Sequence, residues 1–301
     1  MDYRNDTDTI VAAVRRKERT IGERVRIHRE GGLVYLTFPA LEKAGIGKHL
    51  FSTRLGGVSR GCLGSMNLSY TRGDVVSRVD ENFRRIAKAM GKTPDDFVFT
   101  YQTHTTNIRV ATKEDRGKGL TRERDYEDVD GLITREAGIV LSSFFADCVP
   151  LFFADPVKRA IGLAHSGWKG TAGKIGRAVV RAMTEQFGSD PADMTAVIGP
   201  SICGDCYEIG ADVAVQFQAA FPDDSGYDAE NCGPLLREKG GGKYLLNLWE
   251  ANRRVLREAG ILPEHIGVTD ICTCCNPDFL FSHRASHGKR GNLGALFMIE
   301  I

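Results

Sequence analysis

Two histidines and one cysteine have the types and placement needed for metal chemistry. His104, Cys148 and His165 each follow a short apolar run of the chain. Three nitrogen and sulfur ligands without a fourth are typical of a catalytic zinc, which keeps one position open for water or substrate. Alternatively, Cys148 is a nucleophile that His165 or His104 activates, as in cysteine hydrolases. The spacing also allows two hydrogen-bonded histidines and a buried thiol with no chemical role.

The apolar runs before these residues predict the strands that position them. Segments 97–101, 139–145 and 161–164 are short, apolar and bounded by turn residues, as buried strands are. Side chains at strand ends point into crevices, because the strand fixes them while the loop beyond leaves room. A helix is predicted for 171–187 and a further strand for 279–284.

Two places in the sequence could hold an anion. Arg54 lies on the glycine-rich turn TRLGGVS, and an arginine there can bind a phosphate or carboxylate through its forked guanidinium group. The helix start after Trp168 would offer unpaired N–H groups. The segment GWKGTAGK resembles a phosphate loop, but five residues separate Gly167 from Gly173, and Ile175 replaces the magnesium-binding Ser or Thr. A nucleoside triphosphatase is therefore not predicted.

A second group of cysteines comprises Cys203, Cys206, Cys272, Cys274 and Cys275. Two C-x-x-C spacings could build a structural zinc site, but Cys274 crowds one pair and the knuckle glycine is lacking. The prediction is therefore buried, reduced thiols that are mostly free of metal. A zinc deaminase signature fails because the proline lies too early, and the H-x-E segment at 28–30 lies far upstream.

The order of the predicted elements, in which strands and helices mix without strict βαβ alternation and without a clear linker, predicts a single α+β domain with mixed sheets. The chain has 301 residues, 42% hydrophobic, and a net charge of +1 from 40 basic and 39 acidic residues, so nucleic acid and anionic membrane are not expected partners. Residues 1–30 are predicted to form a charged arm and 31–301 the catalytic domain. The charged N-terminus lacks the apolar core of a signal peptide, so a cytoplasmic location is expected. Oligomeric state is not predicted.

The motifs together resemble the YfiH/YlmD "laccase-domain" family, also described as multicopper polyphenol oxidase-like or peptidoglycan editing factor-like. The resemblance covers about residues 30 to 301. The motifs that carry it are, in chain order, TRLGGVS (53–59), SMNLS (65–69), GD with VDEN (73–74, 79–82), YQTH (101–104), DGLIT (130–134), ADCVPLFFADP (146–156), AHSGWKGT (164–171), IGPSI with CYEIG (198–202, 206–210), LNLWEAN (246–252) and the CT…PDFLFSHR tail (272–284).

This resemblance implies a layered α/β/β/α fold and a metal site, usually zinc, on His104, Cys148 and His165. It also implies activity on purine nucleosides: phosphorolysis of adenosine, inosine and methylthioadenosine, with deamination of adenosine. On that basis Asp147 is a candidate proton carrier, and Arg54 a candidate phosphate ligand. The tail departs from the family pattern, with His283 in place of tyrosine and Ala285 in place of a second arginine.

The histidine content tests the copper oxidase name. A blue-copper centre with a trinuclear cluster needs about ten ligands, mostly histidines in His-x-His runs. The chain has seven histidines and no His-x-His. Copper is therefore expected only as an alternative occupant of a zinc-type N₂S site. A metal-free Cys-His hydrolase or deamidase that edits cell-wall precursors, a copper-linked polyphenol oxidase and a non-catalytic zinc-stabilised module remain the alternatives.

Overall fold

The computed structural model describes residues 7–15, 24–222 and 234–300. The strands are β1 (Arg26–Glu30), β2 (Leu33–Thr37), β3 (Gly47–Ser52), β4 (Phe97–Phe99), β5 (Ile108–Val110), β6 (Gly131–Thr134), β7 (Val140–Phe145), β8 (Val149–Asp155), β9 (Ala160–Ser166), β10 (Thr195–Ile198), β11 (Glu208–Gly210), β12 (Leu236–Gly240), β13 (Lys243–Leu246), β14 (Ile266–Val268) and β15 (Leu293–Ile299). The α-helices are α1 (Thr7–Ala12), α2 (Pro39–Ala44), α3 (Val76–Met90), α4 (Trp168–Ala172), α5 (Ile175–Phe187), α6 (Ala211–Ala220) and α7 (Leu248–Glu258).

Two six-stranded sheets form the centre of the molecule. One has the order β1-β2-β3-β15-β7-β4, the other β14-β10-β8-β9-β6-β5, and β11-β13-β12 form a small third sheet. Most neighbours are antiparallel, but β4 with β7, β5 with β6, and β10 with β14 run parallel. The sheets are therefore mixed, as the order of the predicted elements indicated.

Helices cover the outer face of each large sheet. Apolar side chains from the facing sides of the two sheets, including Phe51, Phe152 and Phe297, form the central core. Helix α3 packs on the outer face of the first sheet, and α5 and α7 pack on the second. Burial on both faces explains why strands β8 and β9 are mostly apolar, and their polar residues Asp155, His165 and Ser166 lie at the strand ends. The α/β/β/α arrangement of an α+β protein is confirmed.

Helix α3 shows how the apolar spacing produces an outer layer. Val79, Phe83, Ile86 and Met90 recur every three or four residues and are all buried against the sheet. The helix ends at Gly91, whose φ of 70° is the left-handed conformation that glycine adopts without steric cost.

Two predicted elements differ from the structure. The helix predicted for 171–187 is two helices, α4 and α5, because Lys174 adopts φ 61° and breaks the helical path between them. The strand predicted for 279–284 is wrong. These residues form turns, in which Phe279, Leu280 and Phe281 are buried in the central core without strand pairing. Strand β8 was not predicted as a separate element, although it is central to its sheet.

The N-terminal stretch contributes a strand to the first sheet. Within the predicted arm, 1–30, β1 pairs antiparallel with β2, from Arg26 opposite Thr37 to Glu30 opposite Leu33. Residues 1–6 and 16–23 of that arm lie outside the described residues. The polar, glycine-rich segment 223–242 is predicted to be a surface excursion, and its residues 223–233 also lie outside them. Across the described residues, the helices are too short or too polar to cross a membrane.

Candidate metal centre

Three separate loops and strands bring His104, Cys148 and His165 together. His104 follows β4, Cys148 immediately precedes β8, and His165 lies near the end of the neighbouring strand β9, opposite Pro150. Their ligand atoms all lie within 4.8 Å of one another. The rings of His104 and His165 are 4.9 Å apart at nearly a right angle. The structure thus gathers the predicted N₂S set at the ends of three neighbouring elements.

A fully buried carboxylate, Asp130, orients the two histidines. Its Oδ1 accepts hydrogen bonds from Nδ1 of His165 at 2.8 Å and from the backbone N–H of His104 at 3.1 Å. Its Oδ2 accepts the N–H groups of Thr103 and Thr105, and its backbone oxygen accepts the N–H of His165. Because Nδ1 of His165 is engaged, Nε2 is the nitrogen left for a ligand. The left-handed backbone of His104, φ 67°, is held by these contacts.

The pKa values of the buried groups show the charge distribution that the site favours. Burial raises the pKa of Cys148, but the charge of His165 and hydrogen bonds with both histidines lower it to about 6. Burial lowers the pKa of His165, but the Cys148 thiolate and the Asp130 carboxylate raise it to about 9. Burial likewise opposes ionisation of Asp130, whose pKa is nevertheless lowered by His165 and the N–H donors. The site therefore stabilises a thiolate beside an imidazolium.

The space around these ligands fits a metal ion. A Cβ added to Gly167 would lie 2.7 Å from Cδ2 of His104 and 3.2 Å from the Cys148 sulfur, so only glycine leaves the ligands their positions. One thiolate and two imidazoles are the donor set that zinc accepts, and a carboxylate behind a ligating histidine is the usual support for such a ligand.

The candidate metal centre opens into a cavity of about 840 Å³. This volume lies in the range of small-molecule sites, roughly 300–1,000 Å³. Aromatic side chains form much of its wall, namely Tyr101, Phe144, Phe145, Trp168 and Tyr207. A flat, partly apolar ligand could pack against them beside the centre.

Arginines line the same cavity. Arg72, Arg284 and Arg290 all border it, and Arg290 is only 8% exposed. Burial, followed by the charge of Arg72, lowers the pKa of Arg290 to about 10, so its guanidinium remains charged at neutral pH. Nε of Arg290 is buried and finds no hydrogen-bond partner among the described residues. A buried Arg290 beside the partly exposed Arg284 and the exposed Arg72 on one cavity favours an anionic ligand there.

The structure places Arg54 outside the cavity. The residue is 9% exposed, and its guanidinium donates to the backbone oxygens of Gly64 and Pro277 and lies over the ring of Phe281. It joins the turn to the tail and does not face the metal ligands. The helix start at Trp168 borders the cavity, but α4 has only five residues, and the N–H of Thr171 is already used by Gly167 O.

Asp147 lines the cavity beside Cys148 and holds the tail in place. Its Oδ1 accepts from the hydroxyl of Thr273, and its Oδ2 accepts from the N–H of Arg284 at 2.8 Å. The tail residues His283 and Arg284 reach the cavity, so the departures from the family pattern lie at or next to its wall.

Asp130, Arg72 and Arg290 were not identified as functional candidates from the sequence. Asp130 opens the motif DGLIT, and the strand that follows it was recognised without a role for the carboxylate. Arg72 adjoins the SMNLS motif and Arg290 follows the divergent tail. A signal was therefore present in the motifs, but no spacing rule connects these residues with His104 or His165.

The fold and the site define a class: layered α+β proteins in which a candidate metal centre opens into a cavity. The chain belongs to the family described as "Multi-copper polyphenol oxidoreductase laccase", whose model matches residues 48–300. This confirms the resemblance drawn from the motifs.

Relatives and solved structures agree with this assignment. The chain is 38% identical over 252 residues to "Purine nucleoside phosphorylase YlmD" of Bacillus subtilis, covering 81% of this chain and 85% of that protein. It is 37% identical over 248 residues to "Purine nucleoside phosphorylase" of Deinococcus radiodurans, covering 82% and 87%. The crystal structure of the Bacillus licheniformis hypothetical protein YfiH is similar with a TM-score of 0.82 and 32% identity, covering 93% of this chain and all of that one.

Proposed function

We propose that this protein is a zinc-dependent purine nucleoside enzyme. It cleaves adenosine, inosine and methylthioadenosine with phosphate, and it deaminates adenosine. The observation that carries the proposal is the joint placement of a candidate N₂S metal set and several arginines, of which Arg290 is buried, around one cavity. The names of the relatives, which are purine nucleoside phosphorylases, support the same substrates.

His104, Cys148 and His165 would hold the zinc ion. Zinc at this set supplies Lewis acidity, which stabilises negative charge developing on a substrate atom. Asp130 keeps Nδ1 of His165 protonated and fixes the direction of its ring. Copper would occupy the same ligands, because divalent copper binds nitrogen and sulfur sites at least as tightly as zinc does.

The chain's own residues provide for both substrates of phosphorolysis. The aromatic wall packs against the purine, and Arg284 and Arg290 balance the charge of phosphate. A phosphate oxygen forms a bond to C1′ of the ribose while the glycosidic C–N bond breaks. The electron pair of that bond remains on the purine nitrogen, which takes up a proton, and the products are free base and ribose 1-phosphate. The role of the site in this step is positioning and charge stabilisation.

Deamination replaces the amino group at C6 of adenosine by oxygen from water and releases ammonia. It needs no phosphate, so the arginines should matter less to it. The substrates are thus small molecules, without nucleic acid or membrane as partners, and a cytoplasmic location suits them.

A metal-free Cys-His hydrolase is the second candidate, and a specific observation favours it. Asp130, His165 and Cys148 follow one another in contact, and the pKa of Cys148 is lowered to about 6 beside His165. A thiolate oriented in this way is the arrangement of a cysteine nucleophile. In that case Cys148 would attack an amide or ester of a cell-wall precursor.

Product analysis separates the two functions. Protein purified without a metal-chelating column is incubated with adenosine or inosine, with and without phosphate, and the products are resolved by chromatography. We expect adenine or hypoxanthine with ribose 1-phosphate only when phosphate is present, and inosine from adenosine in either case. Cys148→Ala should abolish these products, whereas the matched variant of an exposed thiol, Cys62→Ala, should retain them. Zinc-loaded wild type that forms neither product would overturn the proposal.

A further inference from the structure

Four thiols from two C-x-x-C pairs converge at one point behind the cavity. The sulfurs of Cys203, Cys206, Cys272 and Cys275 all lie within 4.8 Å of one another. The first pair follows β10 and the second follows β14, and these two strands are paired in parallel. Both loops therefore leave the same end of the sheet, which brings pairs about 70 residues apart in sequence into contact.

Backbone contacts hold the two loops in register. Ser201 and Cys272 form a parallel bridge, with Ser201 N–H donating to Ile271 O and Thr273 N–H donating to Ser201 O. The N–H of Asn276 donates to Thr273 O within the second loop. The geometry of the thiols thus depends on main-chain structure and not on flexible side chains alone.

Amide groups already point at one of the sulfurs. The N–H of Cys203 and the N–H of Cys275 both donate to Cys272 Sγ, at 3.3 and 3.4 Å. Such N–H donors stabilise negative charge on sulfur. In a zinc knuckle the glycine allows these N–H···S bonds, and here they form without it. The missing glycine, which argued against a metal from the sequence, is therefore no obstacle.

The sulfur spacing is that of a tetrahedral metal site. Zinc–sulfur bonds of about 2.3 Å place tetrahedral sulfurs about 3.8 Å apart. Cys206 Sγ and Cys275 Sγ are 3.5 Å apart, and the remaining distances lie below 4.8 Å. Cys203 and Cys272 are nearly fully buried, which excludes water from one side of the group. Four thiols within 4.8 Å of one another exceed what a single disulfide would need.

We propose that Cys203, Cys206, Cys272 and Cys275 bind a structural zinc ion, a second metal site distinct from the one at Cys148. When the ion binds, each thiol loses its proton and forms one zinc–sulfur bond, with no change in oxidation state. A zinc with four thiolates carries two net negative charges. Arg284, which donates to Cys206 O and Glu208 O, lies next to the site and offsets this charge.

The position of the site gives it a role in the cavity. Tyr207 follows Cys206 directly, and Arg284 is anchored on the same loop, and both line the cavity. The Arg284 guanidinium lies over the Tyr207 ring. The second zinc thus fixes the loop that carries Tyr207 of the aromatic wall and that anchors Arg284 from the tail. It takes no direct part in bond making.

Metal counting tests the site independently of any activity. Wild type, Cys148→Ala, Cys272→Ser and the double variant are purified without a chelating column, and zinc per chain is measured by mass spectrometry of the element. We expect two zinc ions per chain in wild type, one in each single variant and none in the double variant. The matched control Cys274→Ser, in the same loop but outside the group of four, should keep two. A Cys148→Ala chain without zinc, or equal loss in Cys274→Ser and Cys272→Ser, would overturn the proposal.

Spectroscopy covers the case in which Cys272→Ser does not fold. Cobalt(II) is exchanged into the Cys148→Ala chain, whose only expected site is the four-thiolate one. We expect the intense near-ultraviolet sulfur-to-cobalt charge-transfer bands of a tetrahedral thiolate site. Absence of these bands, or native masses that show disulfides between these cysteines, would refute the four-thiolate zinc site. Failure of phosphorolysis with retention of this cobalt spectrum would reject the proposed function and leave the second site standing.

Discussion

The Asp130 carboxylate lies 2.8 Å from Nδ1 of His165 and fixes which nitrogen of that ring faces the candidate metal centre. The same carboxylate receives the backbone N–H of His104, so one buried group orients two of the three ligands. The loop 103–105 wraps around its second oxygen. Loss of this single acceptor should therefore disturb the whole site.

Asp130→Asn should weaken zinc binding by roughly 10- to 100-fold, the usual effect of losing a carboxylate behind a ligating histidine. The amide cannot accept all the N–H donors that the carboxylate accepts. Zinc affinity is measured by competition with a chromophoric chelator, and activity should recover when zinc is in excess. Asp128→Asn, two residues away and exposed, is the control and should bind zinc normally. Unchanged affinity in Asp130→Asn would contradict the orienting role.

Gly167→Ala should abolish zinc binding at His104, Cys148 and His165 without unfolding the protein. The added methyl group would press on His104 and Cys148, whose atoms lie 2.7 and 3.2 Å from its position. Zinc content and the thermal transition are measured together. Gly170→Ala, three residues further on, meets no atom closer than 3.5 Å and should keep both zinc and stability. Full zinc occupancy in Gly167→Ala would show that the ligands can move away.

Arg290→Met should raise the KM for phosphate by roughly 10- to 100-fold, as expected when one charged hydrogen-bond donor of about 1.5–3 kcal/mol is lost. Deamination should change little, because it uses no phosphate. Initial rates at varied phosphate, beside deamination rates, give the comparison. Arg181→Met on the exposed face of α5 serves as the matched control. An equal fall of both activities would point to a structural role for Arg290 instead.

Arg54→Ala should lower stability and leave the KM for phosphate unchanged. The substitution strands the carbonyls of Gly64 and Pro277 in a buried place, at a cost of roughly 1–3 kcal/mol. Denaturant unfolding measures the loss of stability. Initial rates at varied phosphate, corrected for the folded fraction, give the KM for phosphate. A selective rise in the KM for phosphate would restore Arg54 as a phosphate ligand.

Acid should remove the stabilisation of the fold that the Asp115 carboxylate provides. Burial raises the pKa of Asp115, but hydrogen bonds from Lys118, from the N–H of Thr112 and from Arg109 lower it to about 2. A depressed carboxyl pKa stabilises the fold above the unfolded value of 3.8, and that stability is lost as pH falls toward 2. Unfolding free energy measured from pH 5 to 2 should therefore fall less steeply for Asp115→Asn, which is less stable at neutral pH. Asp95→Asn, exposed nearby, should keep the wild-type slope.

Much of the architecture was predictable because it depends on local patterns. The three-and-four spacing of Val79, Phe83 and Ile86 predicts α3, and the apolar runs predict β7 and β9. The strand predicted at 279–284 shows the limit of such patterns. Buried aromatic residues pack into a core equally well from a turn, and only strand pairing distinguishes the two cases.

The sequence by itself determined the residue types of the candidate metal set, the order of the motifs and the family. It could not show that Asp130 faces His165, 35 residues away, or that Arg290 turns toward the cavity while Arg54 turns away from it. It also predicted buried, reduced thiols that are mostly free of metal, and it could not show that the paired strands β10 and β14 bring four of these sulfurs together. These relationships arise from contacts between distant segments. Side-chain direction there is set by the packing of the two sheets, and no local propensity encodes it.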